Sequence, residues 1–262
     1  MEAVVTVPGA EPWSAVGRGR RGQVGVVVIH GFMGSPRVTR PLGQRLASAG
    51  YTVEVPLLPG HGTHHRDLGG TRYRDWYDHL SRIVDHLHAR CTAVVLVGHS
   101  VGGTLALDLA TRDPDRVAGV VTVNAMITAP TGLLARALPA LQFVVPYVPR
   151  WVLGVPADDI ARPGVEEGAY RVVASRSGRS IVRELPRIRS QLLDLTQPLL
   201  VVRSTVDHVV PPTDADELTA LVGSGDIREL VCEHSYHVVM LDHDAPRVEE
   251  AVLAFLRDAT GR

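Results

Sequence analysis

One serine, one aspartate and one histidine in this sequence have the side chains and the order needed for nucleophilic acyl transfer. Ser100 lies in the pattern Gly98-His99-Ser100-Val101-Gly102, which fits G-x-S-x-G, and Asp207 and His237 follow it along the chain. A serine hydroxyl is a weak nucleophile at neutral pH, so it needs an imidazole base and a carboxylate that orients the imidazole. The order serine, acid, histidine is typical of one strand-and-helix architecture with this chemistry.

The residues around Ser100 predict a strand that turns sharply into a helix. Residues 94–97 form an apolar run typical of a buried strand, and residues 104–110 predict a buried helix. Glycines at 98 and 102 suit a turn in which a Cβ would crowd the backbone. The five-residue pattern alone is also compatible with a turn that only packs a helix on a sheet, so its interpretation depends on the other two residues.

The other two residues follow predicted strands of the same kind. Asp207 lies just after the strand 199–204, and His237 lies just after the strand 227–232. Because the carboxyl ends of parallel strands meet at one edge of a sheet, we expect both side chains to lie near Ser100. The sequence therefore predicts a catalytic triad.

Strands and helices alternate along most of the chain, which predicts an α/β fold with a mostly parallel sheet covered by helices on both faces. The further predicted strands are 24–30, 51–56 and 117–123, and the helices include 39–49, 73–89 and one that begins near Thr213. Residues 125–190 are rich in Pro, Leu and Arg and lack a strand pattern. We expect a core formed by 1–124 and 191–262, interrupted by an insertion at 125–190.

The oxyanion of an acyl-transfer intermediate needs two backbone donors. We expect the amide of Val101 to be one, and the amide of Phe32, in the loop after the first core strand, to be the other. The Phe32 side chain suits either an acyl channel or core packing. His30, Gly31 and Asn124 are expected to contact the substrate.

Other polar residues near these loops have simpler interpretations. Asp214 and Asp216 suit the first turn of a helix through capping and dipole chemistry. His99 is expected to point away from Ser100 and to serve packing or indirect support. The remaining groups, interpreted as polar or solvated loop residues, are His234, Asp242 and His243.

Composition excludes several classes of function. The 27 basic residues, all arginine, balance 28 acidic ones, so nothing indicates a nucleic-acid partner. Cys91 and Cys232 are far apart and predict inert thiols. His61, His64 and His65 lack companion ligands, so we expect no metal site and no cofactor. The first residues contain no apolar run long enough for a signal peptide, which predicts a cytoplasmic location.

Short motifs spread over nearly the whole chain outside the insertion resemble the α/β-hydrolases, and among them the bacterial monoacylglycerol lipases and related carboxylesterases. The motifs are Gly9-Ala-Glu-Pro12, His30-Gly-Phe-Met-Gly34, Arg40-Pro-Leu42, Ala49-Gly-Tyr-Thr-Val53, Gly60-His-Gly-Thr-His64, Asp75-Trp76, Asp207-His-Val-Val-Pro-Pro212 and Ser235-Tyr-His-Val238. The resemblance implies a triad of Ser100, Asp207 and His237 with oxyanion donors Phe32 and Val101. The family usually has Leu and Met where this chain has His99 and Val101.

The resemblance also implies that residues 125–190 form a cap over the active site. Glu167 matches a family glutamate that contacts the glycerol head group. The first half of the insertion is strongly apolar, through Leu133, Leu134, Leu138, Leu141, Phe143, Val144, Val145, Val148, Trp151 and Val152. Such a cap suits a fatty acyl chain and transient contact with a membrane or micelle surface. Six arginines between 171 and 189 oppose one acid, Glu184, and suit either intrachain pairs or anionic lipid heads.

The hypothesis from the sequence is a cofactor-free serine hydrolase that cleaves monoacylglycerols through an acyl-enzyme. Its partner is then a small lipid ester and no nucleic acid, and the chain acts as a monomer or homodimer. One alternative is a broad carboxylesterase for short or medium chains, or a thioesterase. An alternative from another class is a catalytically silent ligand-binding protein with this fold.

Overall fold

Short apolar strands form one sheet through the centre of the chain. The computed structural model describes residues 7–129 and 145–261. The strands of this sheet are β1 (Trp13–Ala15), β2 (Val24–Ile29), β3 (Thr52–Val55), β4 (Ala93–His99), β5 (Gly119–Val123), β8 (Leu199–Ser204) and β9 (Ile227–Cys232). Their order is β1-β3-β2-β4-β5-β8-β9. β1 pairs antiparallel with β3, and the other neighbouring strands are parallel.

The central strands are apolar because both of their faces are covered. Every residue of β2 and β5 is buried, as are the last six residues of β4. Parallel sheets covered on both faces have near-continuous hydrophobic strands and not an alternating pattern. The sheet predicted from the sequence is therefore confirmed in its class, and the short edge strand β1 was not predicted.

Helices cover the two faces of the sheet. They are α1 (Pro36–Ser48), α2 (His65–Gly69), α3 (Tyr73–His88), α4 (Val101–Arg112), α5 (Ser175–Ser190), α6 (Thr213–Leu221) and α7 (Ala245–Thr260). One apolar cluster joins the sheet to α3, α4, α5 and α6, through residues such as Leu80, Leu105, Ile181 and Leu218. A second cluster joins the other face to α1 and α7, through residues such as Leu46 and Phe255. None of the helices in the described ranges has the length and apolar character needed to cross a membrane.

The segment between β5 and β8 contains strands that were not predicted. β6 (Tyr147–Pro149) and β7 (Val172–Ala174) pair antiparallel in a separate small sheet, and α5 follows β7 directly. The prediction of a region without strands was wrong here, because each of these strands is only three residues long. Several apolar residues that we assigned to the insertion lie outside the described residues, namely Leu133, Leu134, Leu138, Leu141, Phe143 and Val144.

A buried carboxylate ties α5 to the core. Asp108 on α4 is fully buried and accepts hydrogen bonds from two nitrogens of Arg187 on α5, each at 2.9 Å. Arg112 donates to the same carboxylate at 2.9 Å, and the Tyr73 hydroxyl donates at 3.2 Å. Arg187 also donates to Glu184 at 2.8 Å. At least this arginine of the arginine-rich segment therefore has intrachain partners.

Arg187→Met should lower the free energy of unfolding by about 2 to 3 kcal/mol, because it leaves a buried carboxylate with one guanidinium partner. Urea unfolding followed by circular dichroism measures this change. Arg183→Met, at an exposed position on the same helix, is the matched control and should change stability by less than about 0.5 kcal/mol. Equal effects of the two substitutions would contradict the role given to the Asp108 network.

Candidate active site

Ser100 occupies a strained turn between β4 and α4. Its backbone has φ 54° and ψ −123°, a conformation that residues other than glycine rarely adopt. A Cβ at Gly98 would lie 2.2 Å from the carbonyl oxygen of Gly102, and a Cβ at Gly102 would lie 2.5 Å from that of Ile29. The amide of Ser100 donates to Val123 on the neighbouring strand β5 at 2.9 Å. The glycines are thus required by close backbone approach, as the pattern predicted.

Asp207 and His237 meet at the carboxyl edge of the sheet. Nδ1 of His237 donates to Oδ2 of Asp207 at 2.7 Å, and the exposed fractions of the two side chains are 6% and 2%. The other carboxylate oxygen accepts from the amides of Val209 and Val210, each at 2.8 Å. The carboxylate is therefore held on both of its oxygens, and the bond through Nδ1 orients the imidazole ring.

The electrostatics of this pair favour an ionised aspartate. Burial raises the pKa of Asp207, but the hydrogen bond and charge of His237 and the two backbone amides outweigh it, so the pKa lies below its ordinary value. A carboxylate bonded to Nδ1 keeps the proton on that nitrogen. Nε2 of a neutral His237 is then the nitrogen that accepts a proton. Ser100 and His237 both line the same cavity.

The loop after β2 brings the backbone amide of Phe32 to the cavity. The amide of Leu58 donates to Nε2 of His30 at 3.1 Å, so the proton of this ring lies on Nδ1, which donates to the carbonyl of Gly31 at 2.8 Å. The Phe32 ring packs against Trp76, with 5.7 Å between ring centroids. No described residue accepts a hydrogen bond from the amide of Phe32, although this residue lines the cavity. The amide is therefore available to an oxygen atom placed there.

The cavity in front of Ser100 has a volume of about 220 Å³. Its lining at the carboxyl edge of the sheet includes Gly31, Phe32, Val101 and His237. Its other walls are mainly apolar and include Met126, Leu153, Val155, Val173, Ile181 and Val182. Because all six of these come from the segment between β5 and β8, that segment shapes the space available to a ligand.

One buried ion pair interrupts the apolar walls. Nη1 of Arg150 donates to Oε1 of Glu167 at 2.9 Å, and both side chains are less than a tenth exposed. The same nitrogen donates to the carbonyl of Ala157 at 2.8 Å, and the amide of Glu167 donates to Asp158 at 2.8 Å. Burial raises the pKa of Glu167, and Arg150 acts against this shift. The pair places charged groups in a mainly apolar cavity, whose lining also includes Ser175 and Arg179.

Two residues expected to contact substrate have other partners. Gly31 lines the cavity, whereas His30 and Asn124 do not. His30 is occupied by the bonds described above. Asn124 follows β5 with φ 46°, and its Nδ2 donates to the carbonyl of His237 at 2.8 Å and to the Ser204 hydroxyl at 3.0 Å. Both side chains form hydrogen bonds within the protein and do not line the cavity, which argues against the substrate contact expected for them.

His99 contacts the loop after β9, which carries His237. Its Nε2 donates to the carbonyl of His237 at 3.0 Å, and the two ring centroids are 4.8 Å apart. Burial, together with the neighbouring His237, lowers the pKa of His99 to about 3, so its ring is neutral. The sequence signalled this residue only as a departure from the leucine usual in the family. Its partner lies 138 positions away, which no local pattern reveals.

Two aspartates that the sequence explained by capping or solvation are buried and bind distant loops. Asp214 accepts from the amides of Ile127 and Thr128, at 2.8 and 3.0 Å. Asp242 is 1% exposed and accepts from the amides of Tyr236, Ala161 and Arg162. Both carboxylates stabilise backbone that has no partner in regular structure. Asp214 does lie in the first turn of α6, as predicted, but its carboxylate binds another loop, and the prediction that Asp242 is solvated was wrong.

The remaining titratable residues form no metal site in the described ranges, where no group of three His, Cys, Asp or Glu side chains is arranged to hold an ion. His61 is buried against the Trp76 and His30 rings, with centroid distances of 5.3 and 5.0 Å. Burial lowers its pKa to about 4. Cys91 and Cys232 are buried free thiols.

Residues 22–244 match a family model described as Hydrolase_4: Serine aminopeptidase, S33. The chain is 35% identical to the thermostable monoacylglycerol lipase of Bacillus sp. strain H-257, over 99% of both chains. It is 24% identical to a carboxylesterase of Bacillus subtilis strain 168, over 90% of this chain and 93% of that protein. The chain belongs to the Hydrolase_4 family of α/β-hydrolases.

Solved structures agree with this membership. A structure reported with LipS and LipT, two metagenome-derived lipolytic enzymes, superimposes with a TM-score of 0.89 at 33% identity, covering 96% of this chain and 99% of that one. The monoacylglycerol lipase of Paleococcus ferrophilus superimposes with a TM-score of 0.79 at 20% identity, covering 95% and 99%. At 20% identity, the second superposition shows a likeness of fold alone.

The buried neutral histidines predict a loss of stability in acid. The pKa of His99 in the folded chain is about 3, below its ordinary 6.5, so the unfolded chain binds more protons as pH falls below 6.5. The free energy of unfolding should therefore decrease from about pH 6.5 downward, and His99→Leu should make this decrease less steep. One such group contributes up to about 1.4 kcal/mol per pH unit.

Urea unfolding between pH 7 and pH 5 measures the slope, which is independent of any constant change in stability caused by the substitution. His88→Leu, at an exposed position on α3, is the matched control and should leave the slope unchanged. Equal slopes for His99→Leu and the unsubstituted chain would show that His99 is not kept neutral by burial.

Proposed function

We propose that this chain hydrolyses the ester bond of monoacylglycerols and releases a fatty acid and glycerol. The observation that carries the proposal is the small apolar cavity that joins Ser100 and His237 to one buried ion pair. A single acyl chain suits the apolar walls, and a polyol suits the carboxylate. Support also comes from the 35% identity, over nearly the full chain, with a thermostable monoacylglycerol lipase.

Ser100, His237 and Asp207 act as the triad in this proposal. The Ser100 hydroxyl attacks the ester carbonyl while Nε2 of His237 takes its proton, and His237 then gives that proton to the departing glycerol oxygen. Water, deprotonated by the same nitrogen, attacks the acyl-enzyme and releases the fatty acid. Asp207 supports the positive charge on His237 through the 2.7 Å bond to Nδ1.

The amides of Phe32 and Val101 stabilise the oxyanion in this mechanism. Val101 is the first residue of α4, so its amide has no partner within the helix and lies at the positive end of the helix dipole. The Phe32 amide belongs to the loop held by His30. Donors that are already in place when charge develops lower the barrier without reorganisation at that moment.

Glu167 is the proposed contact for the glycerol head group. Its carboxylate lines the cavity and accepts from Arg150, which leaves acceptor capacity for a substrate hydroxyl. An ester without free hydroxyls leaves this buried charge without a second partner. The ion pair therefore favours polyol esters over simple alkyl esters.

We also propose that residues 125–190 are a cap on a core of 1–124 and 191–262, and that the cap contacts lipid surfaces transiently. Trp151 is 80% exposed in the short turn after β6, and Arg171, just before β7, is exposed as well. An aromatic ring beside a cation suits the boundary of an anionic lipid surface.

Ser100→Ala should lower turnover of a monoacylglycerol by about a million-fold, because the triad acts as a unit. It should also abolish labelling of the chain by a fluorophosphonate probe. Release of free fatty acid and in-gel fluorescence measure the two effects. Ser48→Ala, on the exposed face of α1, is the control and should leave both unchanged. Residual turnover near that of the control would remove Ser100 from the mechanism.

The proposed substrate is tested by comparing a monoacylglycerol, the methyl ester of the same acid and the corresponding triacylglycerol. We expect the highest kcat/KM for the monoacylglycerol and very little turnover of the triacylglycerol, because the cavity is small. Glu167→Gln should lower kcat/KM for the monoacylglycerol roughly tenfold, the loss of one hydrogen bond to a charged group, and leave the methyl ester within about twofold.

Glu166→Gln, at the exposed neighbouring position, is the matched control for the head-group contact. Equal rates on all three esters would contradict the proposed pocket and support a broad carboxylesterase. Absence of both turnover and fluorophosphonate labelling would support a silent binding protein.

A further inference from the structure

A carboxylate from the segment between β5 and β8 holds the loops of both the proposed acid and the proposed base. Asp159 is 4% exposed. Its Oδ2 accepts from the amide of His237 at 3.2 Å and from the amide of His208 at 3.0 Å. Its Oδ1 accepts from Nδ1 of His208 at 2.7 Å, and its backbone carbonyl accepts from the amide of Val238 at 3.1 Å.

These four bonds join two loops that come from different strands. His208 is the neighbour of Asp207, and His237 and Val238 belong to the loop after β9. One oxygen of Asp159 therefore bridges the main chain of both loops, beside the 2.7 Å bond between Asp207 and His237. Any shift of this oxygen changes the spacing between the two loops.

Both the carbonyl and the amide of His237 form hydrogen bonds with buried side chains. Its carbonyl accepts from Asn124 and His99, which belong to the core, and its amide donates to Asp159. If the Asp159 carboxylate is removed, the amide of His237 loses its hydrogen bond and a buried donor is left without its acceptor.

The stretch that carries Asp159 is anchored at a second point and reaches the cavity. The amides of Ala161 and Arg162 donate to Asp242 at 2.7 and 2.9 Å, and Asp242 also accepts from Tyr236. On either side along the chain, Arg150 and Glu167 line the cavity. The segment between β5 and β8 thus forms a wall of the cavity and also binds the loop that carries His237.

We propose that Asp159 is a positioning residue for the triad, which sets the spacing of the Asp207 and His237 loops through their main-chain amides. The proposal rests on the proposed acyl-transfer function of this site. It makes assembly of the base depend on the segment between β5 and β8, which also covers the substrate. Misplacement of a reacting group by about 1 Å costs roughly a hundredfold in rate, so the effect should be visible in kcat.

The test compares Asp159→Ala with Asp159→Asn on a nitrophenyl ester, which needs no head-group recognition. Asp159→Ala should lower kcat by roughly ten- to a hundredfold with KM within about twofold. Asp159→Asn should keep kcat within about threefold, because its one amide oxygen still accepts from both backbone amides. Assays run well below the melting temperature of each variant, which is measured by circular dichroism.

Asp214→Ala is the matched control, since the Asp214 side chain is also a buried carboxylate that accepts backbone amides, but those amides belong to Ile127 and Thr128 and not to the Asp207 or His237 loop. It should lower the melting temperature and leave kcat nearly unchanged. Unchanged kcat in a folded Asp159→Ala variant would overturn the proposal, because a merely structural residue gives that result. A kcat for Asp159→Asn as low as that for Asp159→Ala would also overturn it.

If Asp159→Ala does not fold, Asp159→Glu takes its place. The extra methylene displaces the carboxylate, so kcat should fall by the same factor while the charge is kept, and a kcat equal to that of the unsubstituted chain would overturn the proposal. Failure of the proposed function is a separate result. It is seen when the unsubstituted chain cleaves the nitrophenyl ester without preference for a monoacylglycerol, and the Asp159 comparison then still holds.

Discussion

The close approach of three backbone segments around Ser100 is the constraint on which the rest of the structure depends. β4, the first turn of α4 and the end of β2 come so near to one another that Gly98 and Gly102 have no room for a side chain. This contact holds Ser100 at a positive φ and exposes its side chain to the cavity. It also aligns the loop of Phe32 with the start of α4, so the proposed nucleophile and both proposed oxyanion donors share one rigid support.

Around this support, buried polar side chains bind main chain and few of them bind one another. Asn124, His99 and Asp159 hold the backbone of His237, and Asp214 and Asp242 hold neighbouring loops. A loop that leaves the edge of a sheet carries amides and carbonyls without partners, and each costs free energy if it is buried unsatisfied. Side chains from elsewhere in the chain satisfy them: His99 lies at the end of β4 and Asp214 on α6, whereas Asn124, Asp159 and Asp242 lie in loops, so these loops also fix one another.

Charged groups of the site lie in two places, at the proposed triad and at an ion pair in the cavity wall. Burial lowers the pKa of His30, His61 and His99, so these three rings are neutral, and His237 is the histidine proposed as the base. The other charges of the cavity include the Glu167–Arg150 pair, which belongs to the wall formed by the inserted segment. The mainly apolar lining of the cavity strengthens the electrostatic interactions of these groups. It also gives a ligand with one polar end and one acyl chain a defined orientation.

The sequence by itself determined the class of fold, the strands that carry the site and the order of Ser100, Asp207 and His237. These features follow from local signals, because buried strands are continuous apolar runs and a strained turn demands glycine. The strands 199–204 and 227–232 were predicted with the bounds that the structure has. Only the tertiary structure decided the roles of Asn124, His30, His99, Asp159 and Asp242. Their partners lie in other elements of the chain, and whether a polar residue is solvated or buried depends on which loops fold over it. The catalytic roles remain predictions, but the tertiary structure supplied the geometry on which they depend.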